Sequence, residues 1–194
     1  INYSLYDSSL VLMMNFDNVS ALGENSSNVA DLSRYGNNGT PTNGAVPDFA
    51  GKYGGAYLFD GLNDYVSIAQ NSIFNFVNAD FSVSIWFNST QWTGSAGGAR
   101  TLVDFESPGF AGWLVRYSDT TNGITFGGSG DERNVTNTLP SLNTWHHLTI
   151  TYSESGQSLV AYLDGVMDKN RSINLNITAS AQAHGIGSNS GSPT

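Results

Sequence analysis

In the stretch FSVSIWFN, Phe81, Val83, Ile85 and Phe87 alternate with Ser82, Ser84, Trp86 and Asn88. A period of two is that of a pleated strand, whose successive side chains point to opposite faces, so the first set is expected to fill a core and the second to face outward. Comparable apolar-alternating runs recur along the chain between clusters of Gly, Asn, Ser and Asp, the spacing of an all-β sandwich. The expected strands are 10–16, 56–60, 65–69, 81–89, 100–105, 112–117, 123–126, 145–153, 158–164 and 172–177, with one short helical turn within 71–76. Sustained helical periodicity is missing, and so are internal repeats and linkers. Trp86 stands out on the polar face, where a covering loop accounts for it more simply than a ligand does.

The stretch NTWHHLTITYSESGQSLVAYLDG contains two adjacent histidines. On a strand, His146 shares a face with Leu148, Ile150 and Tyr152, whereas His147 shares the other with Trp145, Thr149 and Thr151, so the two rings cannot chelate one ion. One of them is expected to be partly buried and hydrogen-bonded. Asp164-Gly165 signals a tight hairpin into Val166 and Met167.

Composition moves the picture outside the cell. The 194 residues suffice for one β domain with its own core, expected to span residues 1–194. The chain holds 21 Asn, 25 Ser and 15 Thr but only 4 Glu, a surface suited to strands and turns rather than helices. Eight positions fit the Asn-x-Ser/Thr acceptor pattern, namely Asn2, Asn18, Asn25, Asn38, Asn88, Asn134, Asn170 and Asn176, about twice what this content gives by chance. The excess points to a glycosylated extracellular or cell-surface protein, and turn-forming Asn and Ser are the competing explanation. A formal net charge of −9 excludes nucleic-acid and anionic-membrane binding through basic patches. No apolar run is long enough to span a bilayer, and without cysteine there is neither a disulfide framework nor thiolate chemistry.

The ordered set LVLMMNFDN, DLSRYGNNGT, GKYGGAYLFDGLNDYVSI, FSVSIWFNS, NTWHHLTITY and LVAYLDGV resembles the laminin G-like, concanavalin A-like jelly-roll domains over about residues 8 to 188. The resemblance implies a two-sheet antiparallel jelly-roll sandwich, non-catalytic, serving glycan or protein recognition or adhesion within a larger surface protein. It also implies a closing strand after the region matching GIGSNSG, which is not found before Thr194. Its lack is expected to leave the edge of segment 10–16 unpaired, so that the chain either continues or self-assembles through an open strand edge as a structural subunit of a glycosylated layer or filament.

Catalytic chemistry finds few residues. The glutamates Glu24, Glu106, Glu132 and Glu154 lack the alternating carboxylate spacing of glucanases built on this sandwich, and the histidines lack zinc-ligand spacing. No enzyme is expected. Asp60, Asn63 and Asp64 concentrate hard oxygens in one loop, a candidate for calcium, although Asx turns explain the same residues. For a glycan, the candidate contacts are Trp92 in a Gly-rich loop, Phe110 and Trp113 in GFAGW, and Arg133 beside Asp131.

Overall fold

A computed structural model describes residues 8–92, 100–107, 111–128 and 132–187. In chain order the strands are β1 (Gly39–Thr42), β2 (Val46–Asp48), β3 (Ala56–Leu58), β4 (Tyr65–Ile68), β5 (Phe81–Asn88), β6 (Arg100–Asp104), β7 (Leu114–Ser118), β8 (Gly123–Gly127), β9 (Arg133–Asn134), β10 (Trp145–Ser153), β11 (Ser158–Leu163), β12 (Val166–Ser172) and β13 (His184–Ile186). Every pairing is antiparallel. One sheet runs β1-β4-β13-β6-β7-β8-β9, the other β12-β11-β10-β5, and β2-β3 forms a separate ribbon. This is the expected jelly-roll sandwich. A single 3-10 turn, Ser72–Phe74, falls within the segment expected to be helical, capped by the Asn71 side chain accepting from the Ile73 N–H. No helix among the described residues is long and apolar enough to cross a membrane.

The strand period sets the core. Along β10 the side chains of His146, Leu148, Ile150 and Tyr152 are buried and the intervening ones are not. From the facing sheet come Val103, Trp113, Val115, Tyr117, Ile124 and Phe126. Aromatic rings connect the two layers. Phe81 stacks on Phe76 at 4.8 Å and on Phe126 at 5.3 Å, and Trp113 lies parallel to Phe105 at 4.5 Å. Asp164 and Gly165 adopt φ of 52° and 80°, the left-handed pair demanded by the two-residue hairpin between β11 and β12.

Two expected strands are absent. Segment 10–16 joins no ladder among the described residues, and its polar contacts go to a loop instead. The Met13 N–H donates to Asp31 Oδ1 at 2.9 Å and the Met13 carbonyl accepts from Leu32 N at 2.7 Å. Asp31, buried, also accepts from the Ser33 N–H and hydroxyl and from the Asn37 N–H. The DLSRYGNN motif is thus a clasp in which one carboxylate organises a loop and anchors the preceding segment. Residues 172–177 likewise form no strand beyond Ser172. The Ile173 N–H bonds the Gln157 carbonyl, the Leu175 N–H bonds the Tyr152 hydroxyl, and Leu175 and Ile177 are buried on the core without a strand neighbour. The strand actually occupying that region, β12, carries charged residues on a sheet edge and so shows no apolar alternation.

His184 is fully buried, stacked on Phe105 at 4.3 Å and edge-on to Phe74 at 5.4 Å. Neither ring nitrogen has a hydrogen-bond partner among the described residues, and burial pushes the pKa down to about 4.

Two outcomes are expected. Asp31→Ala strands several buried N–H groups and should lower the unfolding free energy by about 2–4 kcal/mol, read as a lower urea midpoint at unchanged m-value. For His184, the unfolded state, with an ordinary pKa near 6.5, protonates before the folded one. Stability is therefore fully present above about pH 6.5 and is lost as pH falls toward about 4, by roughly 3 kcal/mol in all. Urea midpoints between pH 7 and pH 4.5 should decline less steeply in His184→Phe, and an equal decline would show that other groups carry the acid sensitivity.

Candidate functional site

The structure buries two of the aromatic residues expected to meet a ligand. Trp92 is 5% exposed, with its indole N–H donating to the Pro140 carbonyl at 2.8 Å and its ring against Phe87 and Tyr117. Trp113 is 4% exposed and donates to the Phe74 carbonyl at 2.9 Å. Both are core residues, corrected from ligand contacts because a buried indole with a satisfied N–H has nothing left to offer. Phe110 and Asp131 lie outside the described residues. Arg133 is half-buried on β9, donating to the Glu132 carbonyl.

The loop proposed for calcium is closed on itself. Asp60 Oδ1 accepts from the Leu62 and Asn63 N–H groups and Asp64 Oδ2 from the Asp60 N–H, while the Asn63 carbonyl accepts from Asn43. The Leu62 N–H bond, foremost, keeps the Asp60 carboxyl below the usual carboxylate range. Among the sequons, Asn2 lies outside the described residues. Asn25, Asn38, Asn88, Asn170 and Asn176 are exposed, whereas Asn18 and Asn134 are half-buried and the Asn134 amide donates to the Thr121 carbonyl.

The adjacent histidines part as strand geometry requires. His146 points inward, its Nδ1 2.7 Å from Asp164 Oδ2 and its Nε2 3.0 Å from the Ser141 hydroxyl. Asp164 Oδ1 accepts the His147 N–H at 2.9 Å, so the turn carboxylate latches the hairpin to β10. Partial burial opposes ionisation there, yet the His147 N–H and the His146 ring hold the Asp164 carboxyl below its ordinary range.

His147 points outward and stacks on Trp86 at 4.8 Å with 20° between the rings, while its Nε2 meets the Ser84 hydroxyl at 2.8 Å. No covering loop buries Trp86, which is 37% exposed. Instead the turn holding Lys52 and Tyr53 stands beside it, with Tyr53 edge-on at 5.3 Å and the Lys52 ammonium 5.5 Å above the indole. That turn closes through a Gly51 N–H bond to Gly54. Gly55 packs so closely against the Phe16 carbonyl that a Cβ would not fit, and its N–H donates to Asp17 Oδ1 at 2.7 Å. Tyr53 is 73% exposed.

This cluster sits on a groove of about 580 Å³ between segment 10–16 and β5, the terminal strand of its sheet. Phe74, Val103, Phe105, Trp113 and Ile186 lie along its depth, and Ser82, Ser84, Trp86 and Trp145 reach its outer side. Pattern reading placed Trp86 on the outward face but not Lys52 or Tyr53 beside it, since a Gly-rich turn carries no signal of where it docks.

A family model described as the concanavalin A-like lectin/glucanases superfamily matches residues 59–194. The chain belongs to this superfamily. It is 26% identical over 130 residues to the non-toxic nonhemagglutinin type A of Clostridium botulinum (strain Kyoto / Type A2), covering 64% of the chain but only 11% of that protein. In fold it is similar to the binding domain of Paraclostridial Mosquitocidal Protein 1, with TM-score 0.57 and 19% identity over 84% of this chain and 42% of that one. It is also similar to domain 4 of AbnA, a GH43 extracellular arabinanase from Geobacillus stearothermophilus solved with arabinotriose, with TM-score 0.56 and 18% identity over 78% and 69% of the two chains.

The superfamily includes hydrolases, which need two carboxyl groups facing each other across a cleft. Here Glu132 is spent on the Arg116 guanidinium and the Thr125 hydroxyl, Glu154 accepts from the Tyr152 hydroxyl, and Glu24 accepts the Val19 N–H. No group of three metal-ligating side chains converges among the described residues. Because the Asp60 and Asp64 oxygens already hold backbone N–H groups, melting in excess calcium and in EGTA should give the same Tm within about 1 °C, whereas an ion bound well above its dissociation constant would raise it by several degrees.

Proposed function

We propose that this chain is a non-catalytic extracellular recognition module that binds oligosaccharide through the Trp86, Tyr53 and Lys52 cluster. The observation that carries this reading is an exposed aromatic corner held rigid from below. Large aromatic surface offers apolar contact to a sugar face, and the ammonium and the Ser84 hydroxyl are positioned for its hydroxyl groups. His147 stacking and the Gly55 anchor fix Trp86 and the turn before a ligand arrives, which lowers the ordering cost of binding. The likeness in fold to the binding domain of Paraclostridial Mosquitocidal Protein 1 and to an arabinanase domain solved with arabinotriose supports recognition as the role. Five exposed sequons agree with a glycosylated surface location. The edge of β5, which has no second neighbouring strand among the described residues, favours a second reading, a structural subunit joined by edge strands. A net charge of −9 on every copy opposes it.

On a glycan array, the wild-type chain is expected to retain a defined set of oligosaccharides. Trp86→Ala and Tyr53→Ala should each weaken that binding at least about tenfold, close to 1.4 kcal/mol. Trp92→Phe, a change confined to the core, should keep it. Binding indifferent to both outer substitutions would place the sugar elsewhere, and no retained glycan would reject the carbohydrate reading.

A further inference from the structure

Asn88 ends β5 on its outward face, exposed and two residues beyond Trp86 on the same side of the pleat. The register with β10 sets Trp145 directly across from Asn88 and His147 across from Trp86. Side chains so paired stand roughly 5 Å apart at Cβ, and Trp86 lies about 6.6 Å from Asn88 along the strand. Asn88 is therefore bordered by an indole on two sides. The other two tryptophans, Trp92 and Trp113, are in the core.

The two bordering indoles differ in how far they are engaged. Trp86 is held by His147, Tyr53 and Lys52. Trp145 is half-buried at the start of β10, and its side chain makes no ring contact and no hydrogen bond among the described residues. The Asn88 amide also has no hydrogen bond among them. Other Asn-x-Ser/Thr side chains are used locally. Asn25 Oδ1 accepts from the Ser27 N–H, Asn38 Oδ1 accepts the Asp31 N–H at 2.9 Å, and the Asn134 amide donates to the Thr121 carbonyl. Asn170 stands opposite Val160, and Asn176 lies in no strand.

Asn88-Ser89-Thr90 fits the acceptor pattern. We infer that Asn88 is an N-glycan attachment site whose first sugar, an N-acetylhexosamine, packs its apolar face on the Trp145 indole with Trp86 at its flank. In the modification the Nδ2–C1 bond forms as the C1–O bond of a lipid diphosphate-linked oligosaccharide donor breaks, and the Nδ2 proton leaves with the diphosphate. One face of such a sugar is a set of C–H groups, which an indole covers as it covers other apolar surface. Tethering then decides which sugar reaches Trp145. A free monosaccharide meets an exposed aromatic ring weakly, whereas a short covalent link holds the attached one at an effective concentration on the order of millimolar, with no further loss of translational freedom. The inference rests on the reading of this chain as an extracellular module, and its principal contact is a different indole from that of the oligosaccharide corner.

The test uses the full chain secreted from a cell line that adds high-mannose N-glycans, trimmed with endoglycosidase H to one N-acetylglucosamine per occupied site. The same sequence made in bacteria without glycans is the reference. Peptide mass spectrometry should find Asn88 occupied. In the trimmed protein the protons of one sugar should lie upfield of the others through the indole ring current, and Asn88→Gln and Trp145→Ala should each remove that shifted set. Trp145→Phe, which keeps an aromatic face, should retain part of it. Asn88→Gln should lower the Tm of the trimmed protein by about 2 °C or more, by less than half as much in the Trp145→Ala background, and not at all in the glycan-free reference. An unoccupied Asn88, a set of sugars with no shifted member, or an equal Tm loss with and without Trp145 would overturn the inference. Glycan-array retention by the glycan-free chain, which Asn88→Gln should leave unchanged, separates the two readings. A chain that retains no array glycan yet shows the shifted sugar loses the carbohydrate-binding reading alone.

Discussion

One run of aromatic rings carries the sandwich. From Tyr152 and Phe81 on the four-stranded side, contacts pass through Phe76, Phe126, Trp113 and Phe105 to His184 on the seven-stranded side, each pair at a centroid separation between 4.3 and 5.8 Å. Each ring removes a large apolar area from water and adds the preference of π faces for offset contact. The stack fixes how the layers face each other, and it also explains the cost tolerated at its far end. His184 keeps ring contact with Phe105 and Phe74 at the expense of two unsatisfied nitrogens, which makes the core selective for the neutral imidazole.

The same stack reaches the groove beside β5. Phe74, Phe105 and Trp113 belong both to the core and to the groove. What keeps segment 10–16 in place on that flank is not a ladder but Asp31, whose carboxylate gathers N–H groups from three residues. A carboxylate that accepts several backbone bonds is a strong local organiser but gives no lateral cohesion along a strand. Segment 10–16 is therefore anchored near Met13 by the Asp31 loop.

How much of this was legible in the sequence depends on what each residue's neighbours reveal. The alternation of β5 and β10, the opposite faces of His146 and His147, and the Asp164-Gly165 hairpin follow from a period of two and from φ preferences, all of which are local. β12 was hidden because VMDKNRS sits on a sheet edge and buries little, and β13 because its three residues gain strand character only from β4 and β6 on either side. Trp92 and Trp113 misled for a related reason. In a Gly-rich segment an indole destined for the core and one destined for solvent look alike, and the Pro140 and Phe74 carbonyls that satisfy them lie 48 and 39 residues away. The candidate site shares that difficulty. Trp86 shows its outward phase, but Lys52 and Tyr53 reach it only through the docking of Gly55 on Phe16.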